Sequence, residues 1–479
     1  MKKTNVIQKS MSWSLFSEIA AKFVTPVTNM ILARILTPED FGVLAVCNML
    51  ISFADIITDA GFGKYIVQHD FSDEKEQNNC ANVAFWSNFF VSSIIFVLIV
   101  LNRKWIAGIL GNEEYAFVIS IASIQLLLTS ISSIQIGIFR RKFDFRTLFI
   151  ARLSVAITPL IISVPLAIIT KSYWALIVGN LSGALINSIV LTILSSWKPK
   201  FFYSFVLLKQ MFSFSFWSLC EGLANWIIFW IDTFMVTNVY SEYYVGIYKN
   251  SSNMIISIMG MISASMSPVL LSVLSRVKDN PTKFKNTFLN IQKSMMYLVI
   301  PMGIGLFCYR KLVTYILFGS QWQEAANIVG AWSLMMMCSV IFYSFPAELY
   351  KSKGIPRILF GFQCAYLIFL VPVCAIGVKL GFWEFVYLRC ACVLEQIILS
   401  LILMKKKFGF KITEVLKNIK NPIIASFGII VPFLICQNMM DSYLGEFFSM
   451  ILSCLGYLFM IILFYKKDVM QSVVEMKKY

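Results

Sequence analysis

Ser14, Glu18, Lys22, Thr25 and Asn29 follow one another at steps of three or four residues inside an otherwise apolar run. That spacing puts them on one face of a single helix. Asn48, Ser52, Asp55 and Asp59 repeat the pattern in the next run. Ser218, Glu221, Asn225 and Asp232 do so near residue 220, and Lys249, Asn253, Ser257, Gly260 and Ser267 follow shortly after. A charge at membrane depth costs about 2.5–3.5 kcal/mol on insertion scales, so several together call for a water-filled cavity, a partner, or both. Two readings stand side by side. In one, the four stripes line a polar cavity. In the other, Glu18 and Lys22 form a buried i,i+4 ion pair and the remaining groups bond between helices.

The residue types suggest two kinds of chemistry. Lys22, Arg34, Lys249, Arg152 and Arg389 place fixed positive charge where a phosphate or diphosphate would otherwise meet hydrocarbon. Asn29, Asn225 and Asn253 add amides to the same faces. Arg34 and Arg152 lie near span ends, so snorkelling to the interface is the alternative for them. For Arg389 the alternative is pairing with Glu384 or Glu395. Glu18, Asp55, Asp59, Glu221 and Asp232 are carboxylates able to take a proton or Na⁺ and couple its gradient to a conformational change. Asp59, close to Gly61 and Gly63, equally suits a structural helix end.

These stripes must be positioned by membrane helices. Of the 479 residues, 58% are hydrophobic and 14% charged, against about 45–50% and 25% in soluble domains. A span needs about 20 mostly apolar residues. Runs of that kind are expected near 11–36, 41–66, 80–101, 115–139, 147–170, 173–196, 209–236, 245–274, 287–308, 324–349, 357–378, 382–404, 421–438 and 443–465. The chain therefore reads as an all-α polytopic membrane protein of about 14 helices. Glu18 and Lys22 interrupt the first run and no small-residue cleavage site follows, so it reads as a retained span rather than a removed signal. With the amino terminus in the cytoplasm, 29 of the 41 basic residues fall on the cytoplasmic side and 6 on the other. This asymmetry predicts an even number of spans with both termini inside.

Trp13-Ser14-Leu15 recurs as Trp217-Ser218-Leu219, an offset of 204, and at that offset Phe41-Gly42-Val43 faces Val245-Gly246-Ile247. Six spans separate the copies, so both enter the membrane in the same direction. Two parallel six-helix lobes are expected, 1–200 and 201–408, related by an axis along the membrane normal. Residues 409–479 add two further helices and a cytoplasmic tail.

Several function classes are excluded. The net charge of +16 resides in short connections, which argues against nucleic acid as a partner. The 11 cysteines are scattered, mostly within apolar runs, and His69 is the only histidine. No metal site or disulfide framework is expected. The outer connections are short and no Gly-rich phosphate loop or nucleophile constellation appears, so the chain does not read as an enzyme.

Leu32-Ala33-Arg34-Ile35-Leu36-Thr37-Pro38-Glu39-Asp40-Phe41-Gly42 resembles the opening signature of bacterial polysaccharide exporters. These are the Wzx-like O-antigen flippases and the teichuronic- and colanic-acid type exporters of the MATE-like MOP superfamily. Asp59-Ala60-Gly61-Phe62-Gly63 with Ile66-Val67-Gln68, Phe143-Asp144-Phe145-Arg146, Tyr173-Trp174-Ala175-Leu176, Ile231-Asp232 and Val245-Gly246-Ile247-Tyr248 also fit. The resemblance covers most of residues 10–405, and the last two spans match only in hydrophobicity. It implies a 14-helix fold, alternating access, no prosthetic group and no chemical reaction. The implied cargo is an undecaprenyl-diphosphate-linked oligosaccharide, flipped across the bacterial cytoplasmic membrane for O-antigen, capsule or exopolysaccharide synthesis. A polymerase and glycosyltransferases are the implied partner enzymes. Asn238 departs from the family, where a basic residue is expected after the seventh helix. A cation-coupled multidrug exporter of the same fold is the runner-up. The mixed charge of the stripes, with Glu18, Asp55, Asp59, Glu221 and Asp232 against Lys22 and Lys249, leans slightly towards it. An integral glycosyltransferase or polymerase is the third reading and lacks a donor-binding loop.

Overall fold

The computed structural model describes residues 24–355, 357–436 and 442–465. Among them every regular element is a helix, and 13 helices are long and apolar enough to cross a membrane. In hydrocarbon, backbone polar groups have no water to bond, and a helix satisfies them within one segment. We number the long helices α1 (24–35), α2 (Pro38–Asp59), α3 (Glu74–Leu101), α4 (Glu113–Arg141), α5 (Phe145–Thr170), α6 (Trp174–Leu194) and α7 (Phe205–Thr237). There follow α8 (Glu242–Val277), α9 (Pro281–Cys308), α10 (Ala325–Ser352), α11 (Arg357–Leu380), α12 (Phe382–Phe408), α13 (Ile412–Ile435) and α14 (Tyr443–Tyr465). Their flanks leave large apolar side chains uncovered, among them Leu101, Ile169, Ile368 and Leu444. Lipid is the solvent those faces suit. The chain is thus an all-helical, multi-pass membrane protein.

Polar residues set the helix starts. Asp73 accepts from the Glu76 amide at 2.6 Å, Asp144 from Thr147 at 3.1 Å and Asn280 from Lys283 at 2.9 Å. Each satisfies an amide that the first helical turn leaves unbonded. Before α2, Thr37 donates its backbone N–H to Asp40 at 3.0 Å, and Pro38 occupies the first helical position, where its missing N–H costs nothing. This explains the local form of the Thr37-Pro38-Glu39-Asp40 run.

Two boundaries depart most from expectation. The run 41–66 is not one helix: the chain turns at Ala60 (φ 41°) and Gly61 (φ 81°) and restarts as a short helix, Phe62–Gln68. α13 begins at Ile412 rather than near 421, because its polar first turns are anchored by Glu414, which pairs with Lys285 at 2.5 Å and accepts from the Lys411 amide at 3.1 Å. The 36 residues of α8 extend about 54 Å at 1.5 Å per residue, well beyond a hydrocarbon core of about 30 Å.

The chain divides into two compact units, Met1–Lys249 and Asn250–Tyr479. The seam falls inside α8, whereas the repeat expected from the sequence begins at 201; α7 and the first turns of α8 pack within the first unit. There α5 lies along α6, α4 packs on α3 and α6, and α7 packs on α2. In the second unit α9 packs on α10 and α13, α11 on α12, and α13 on α14. The last pair crosses at Gly428 and Gly456, where a Cβ on Gly428 would lie 2.6 Å from the Gly456 carbonyl oxygen; small residues let membrane helices approach this closely. α10 contains a π-helical turn, Val340–Ser344, and the Gln292 amide donates to its Ile341 carbonyl at 3.2 Å.

Candidate functional site

α1 carries Thr25, Thr28 and Asn29 on the face that opens on a cavity of about 490 Å³ in the first unit. α5 supplies Arg152, Val155, Pro159 and Ser163 to the same space, and α6 supplies Asn180 and Asn187. Pro159 has no N–H to offer the Val155 carbonyl, so a backbone acceptor beside the cavity loses its usual helical partner. Among the described residues, Arg152 is the charged side chain lining this cavity. The rest of the polar lining is amide and hydroxyl. Asn180 donates to Asn48 of α2 at 3.4 Å, Asn187 to Ser132 of α4 at 3.4 Å, and Gln135 to Thr192 at 3.0 Å. These bonds tie α2, α4 and α6 together behind the cavity.

The acidic groups are held elsewhere. Asp55 accepts from the Thr129 hydroxyl of α4 at 2.8 Å. Asp59 accepts from the Gly61 and Gly63 amides at the turn that ends α2. Ser52 accepts from the Trp226 indole of α7 at 3.0 Å. The α2 stripe therefore fans out to three neighbours instead of facing one space. Glu221 of α7 pairs with Lys64 at 3.3 Å, with both side chains about half exposed (53% and 54%). An exposed pair contributes about 0–1 kcal/mol. Replacing either partner by Gln is expected to leave the melting temperature of the purified protein within a few degrees, and a collapse of stability would refute this placement.

Asp232 and Lys249 are buried where α7 meets α8, at 2% and 4% exposure. Asp232 accepts from the Tyr248 hydroxyl at 2.9 Å and from the Thr233 amide at 2.7 Å. Lys249 donates to the Phe229 carbonyl at 2.7 Å and lies over the Phe229 and Trp230 rings at 3.8 and 4.0 Å. Asn225 is exposed and donates to the Glu221 carbonyl at 2.9 Å. Arg34 is exposed on α1. In the second unit, Arg389 is buried, donates to the Tyr366 hydroxyl at 3.0 Å and stands 5.3 Å from the Trp332 ring centre. Asn253 is half-buried, and its side-chain oxygen has no hydrogen-bond donor among the described residues. Glu18 and Lys22 lie outside the described residues.

Of the described residues singled out from sequence, the structure thus brings Thr25, Asn29 and Arg152 into one cavity and places the others elsewhere. Asn180 and Asn187 escaped the stripe criterion. Their seven-residue spacing within an apolar span puts both on one face after two turns, and that signal would have found them.

α2 and α8 cross at their starts. A Cβ on Gly246 would overlap the Pro38 carbonyl oxygen, and one on Gly42 would overlap the Glu242 carbonyl oxygen. The two contacts are equivalent, because Pro38 and Gly42 precede Glu242 and Gly246 by 204 residues, the same offset as the sequence matches. Contact of i with j matched by j with i marks a two-fold relation. Glu242 is fastened from the side as well: its carboxylate accepts from Asn112 at 2.9 Å and from the Tyr115 hydroxyl.

Residues 31–327 match the family described as "Polysaccharide biosynthesis protein". The chain belongs to that family. An uncharacterized membrane protein in the cps region of Klebsiella pneumoniae is 22% identical over 92% of this chain and 91% of its own length. The succinoglycan biosynthesis transport protein ExoT of Rhizobium meliloti (strain 1021) is 25% identical over 68% of this chain and 66% of its own. The lipid II flippase MurJ, in an inward closed conformation, superposes with a TM-score of 0.76 at 15% identity, covering 95% of this chain and 99% of that one. That likeness is one of fold. For this polysaccharide biosynthesis protein, the cavity beside α1, α5 and α6 is the candidate site.

Proposed function

We propose that this polysaccharide biosynthesis protein translocates a polyprenyl-diphosphate-linked oligosaccharide across the bacterial cytoplasmic membrane during surface-polysaccharide synthesis. The observation that carries the reading is the make-up of the cavity lining. Its described lining holds Arg152 and a ring of amides and hydroxyls, while Asp55, Asp59, Glu221 and Asp232 are bonded elsewhere. A guanidinium offers a forked set of donors to a diphosphate, and Asn29, Asn180 and Asn187 suit sugar hydroxyls. An organic drug cation would meet a guanidinium in that lining. In this reading the polyprenyl tail stays in lipid and the chain makes or breaks no covalent bond. Lys22, which sequence spacing alone assigns to the stripe of Thr25 and Asn29, joins the headgroup set. Lys249, Arg34, Arg389, Asn225 and Asn253 contribute at later stages of the path.

Movement is by alternating access between two repeats, 1–200 and 201–408, with 409–479 appended and both termini in the cytoplasm. The reciprocal crossing at Gly42 and Gly246 supports this, since a two-fold pivot lets each repeat present the same surface to the other. Glu18, Asp55, Asp59, Glu221 and Asp232 are the candidate carriers of a coupling proton or Na⁺, and the bond to Thr129 makes Asp55 the first to test. Asp55→Asn is expected to insert normally in proteoliposomes yet to lose gradient-driven translocation. Wild-type rates in that variant under both a proton and a Na⁺ gradient would remove Asp55 from the coupling step.

The function itself is tested by deletion. Cells lacking the protein are expected to lose surface polymer and to accumulate lipid-linked oligosaccharide in the inner leaflet, with polymerase and glycosyltransferases intact. Undiminished polymer, or a change confined to drug sensitivity, would overturn the proposal.

A further inference from the structure

A second cavity, of about 470 Å³, lies in the second unit and is lined by Lys311, Tyr315, Gln323, Asn327, Tyr443 and Glu446. We propose that it is a sugar-binding subsite. Lys311 and Tyr315 belong to the short helix Arg310–Phe318 that follows α9, Asn327 to the first turn of α10, and Tyr443 and Glu446 to the first turn of α14. Three separate segments thus converge on one space.

The chemistry of the lining selects the ligand class. The Tyr315 and Tyr443 rings stack at 3.9 Å with 11° between their planes, and both residues remain more than a third exposed. One stacked face covers the other, so the pair presents a flat, rigid aromatic wall. Gln323 donates its amide to the Tyr443 hydroxyl at 3.4 Å, which orients that wall. Glu446 is 7% exposed; its carboxylate accepts from the Leu312 amide, and its Oε2 has no hydrogen-bond donor among the described residues. A buried carboxylate oxygen without a donor is costly, and an arriving hydroxyl relieves that cost.

Charge narrows the choice further. Glu446 repels an anion, while Lys311 beside it, with Arg310 close by, repels a cation. A neutral ligand with hydroxyl donors on one edge and an apolar C–H face on the other meets neither objection and matches both the carboxylate and the aromatic wall. A sugar ring has that form. None of these six residues lines the Arg152 cavity, so this is a separate site for the saccharide and not for the diphosphate. The source of the ligand rests on the export reading; its chemical class does not.

The test uses the full-length protein in detergent and saturation-transfer NMR. One arm uses the oligosaccharide released by mild acid from the host's lipid-linked pool, the other the intact lipid-linked form. Binding of both forms is expected, with sugar-ring protons receiving the transferred signal. Glu446→Gln is expected to weaken affinity about tenfold, the scale of one hydrogen bond to a charged group, and Tyr315→Ala by about as much through loss of the aromatic wall. Asn327→Ala, at an exposed position, provides the decisive variant if Glu446→Gln fails to fold. No binding of either form by wild type, or equal affinity in all folded variants, overturns the subsite. Binding of the intact form alone makes the carrier-attached saccharide the ligand; binding of the free form alone makes it a released saccharide. Failure of the export reading would look different: deletion would leave surface polymer intact while the variants still lost saccharide binding.

Discussion

One methyl group added at Gly246 is expected to abolish surface polysaccharide while leaving the protein in the membrane. The Cβ of Gly246→Ala would fall on the Pro38 carbonyl oxygen, and backbone cannot rotate aside as a side chain can. Overpacking typically costs about 1–3 kcal/mol, occasionally more; at about 3 kcal/mol the crossed arrangement loses about a hundredfold in population. The rest of the fold is spared, because α2 and α8 have other partners and the contact is confined to their first turns. Gly42→Ala should act alike, since the 204-residue offset makes its clash with Glu242 the counterpart of the first. The measurements are polymer on the cell surface, protein in the membrane fraction, and reactivity of an Asn112→Cys thiol beside Glu242. Asn112 bonds Glu242, so opening the crossing should raise that reactivity. Normal polymer with Gly246→Ala would show that the crossed state is no part of the transport cycle.

Arg152→Ala is expected to have the second large effect, of a different kind. The crossing would be intact, but the described lining of the 490 Å³ cavity would hold no charged side chain. A charge-assisted hydrogen bond contributes about 1.5–3 kcal/mol, and a forked pair contributes more than one. Translocation should therefore fall by about 100-fold or more at limiting substrate, with lipid-linked oligosaccharide accumulating behind it. Arg152→Lys should recover part of the rate, since lysine restores the charge without the fork. Equal recovery by Arg152→Gln would show that bulk and polarity suffice, and the diphosphate assignment would fail.

The contrast between the two variants reflects what could be read at each level. Periodicity and composition alone determined the helices: α3 to α12 and α14 lie where apolar runs of about 20 residues placed them, because lipid leaves a buried backbone no alternative. The 204-residue offset was read from the sequence, and Gly42 meets Glu242 and Gly246 meets Pro38 across α2 and α8 at that same spacing.

Partnership was not legible, because a helical stripe fixes the direction of a side chain from its own axis and not the neighbour it meets. Asn48, Ser52 and Asp55 share a face in sequence, yet α6, α7 and α4 respectively bind them. The break at Ala60–Gly61 was legible only as one of two readings of Asp59 beside Gly61 and Gly63, since the apolar run itself continues through it. The placement of the described charges is the clearest case. Counting stripe charges along the chain leaned acidic, but tertiary packing bonded the described carboxylates to hydroxyls, amides and Lys64. Arg152, on a helix with no stripe at all, lines the cavity.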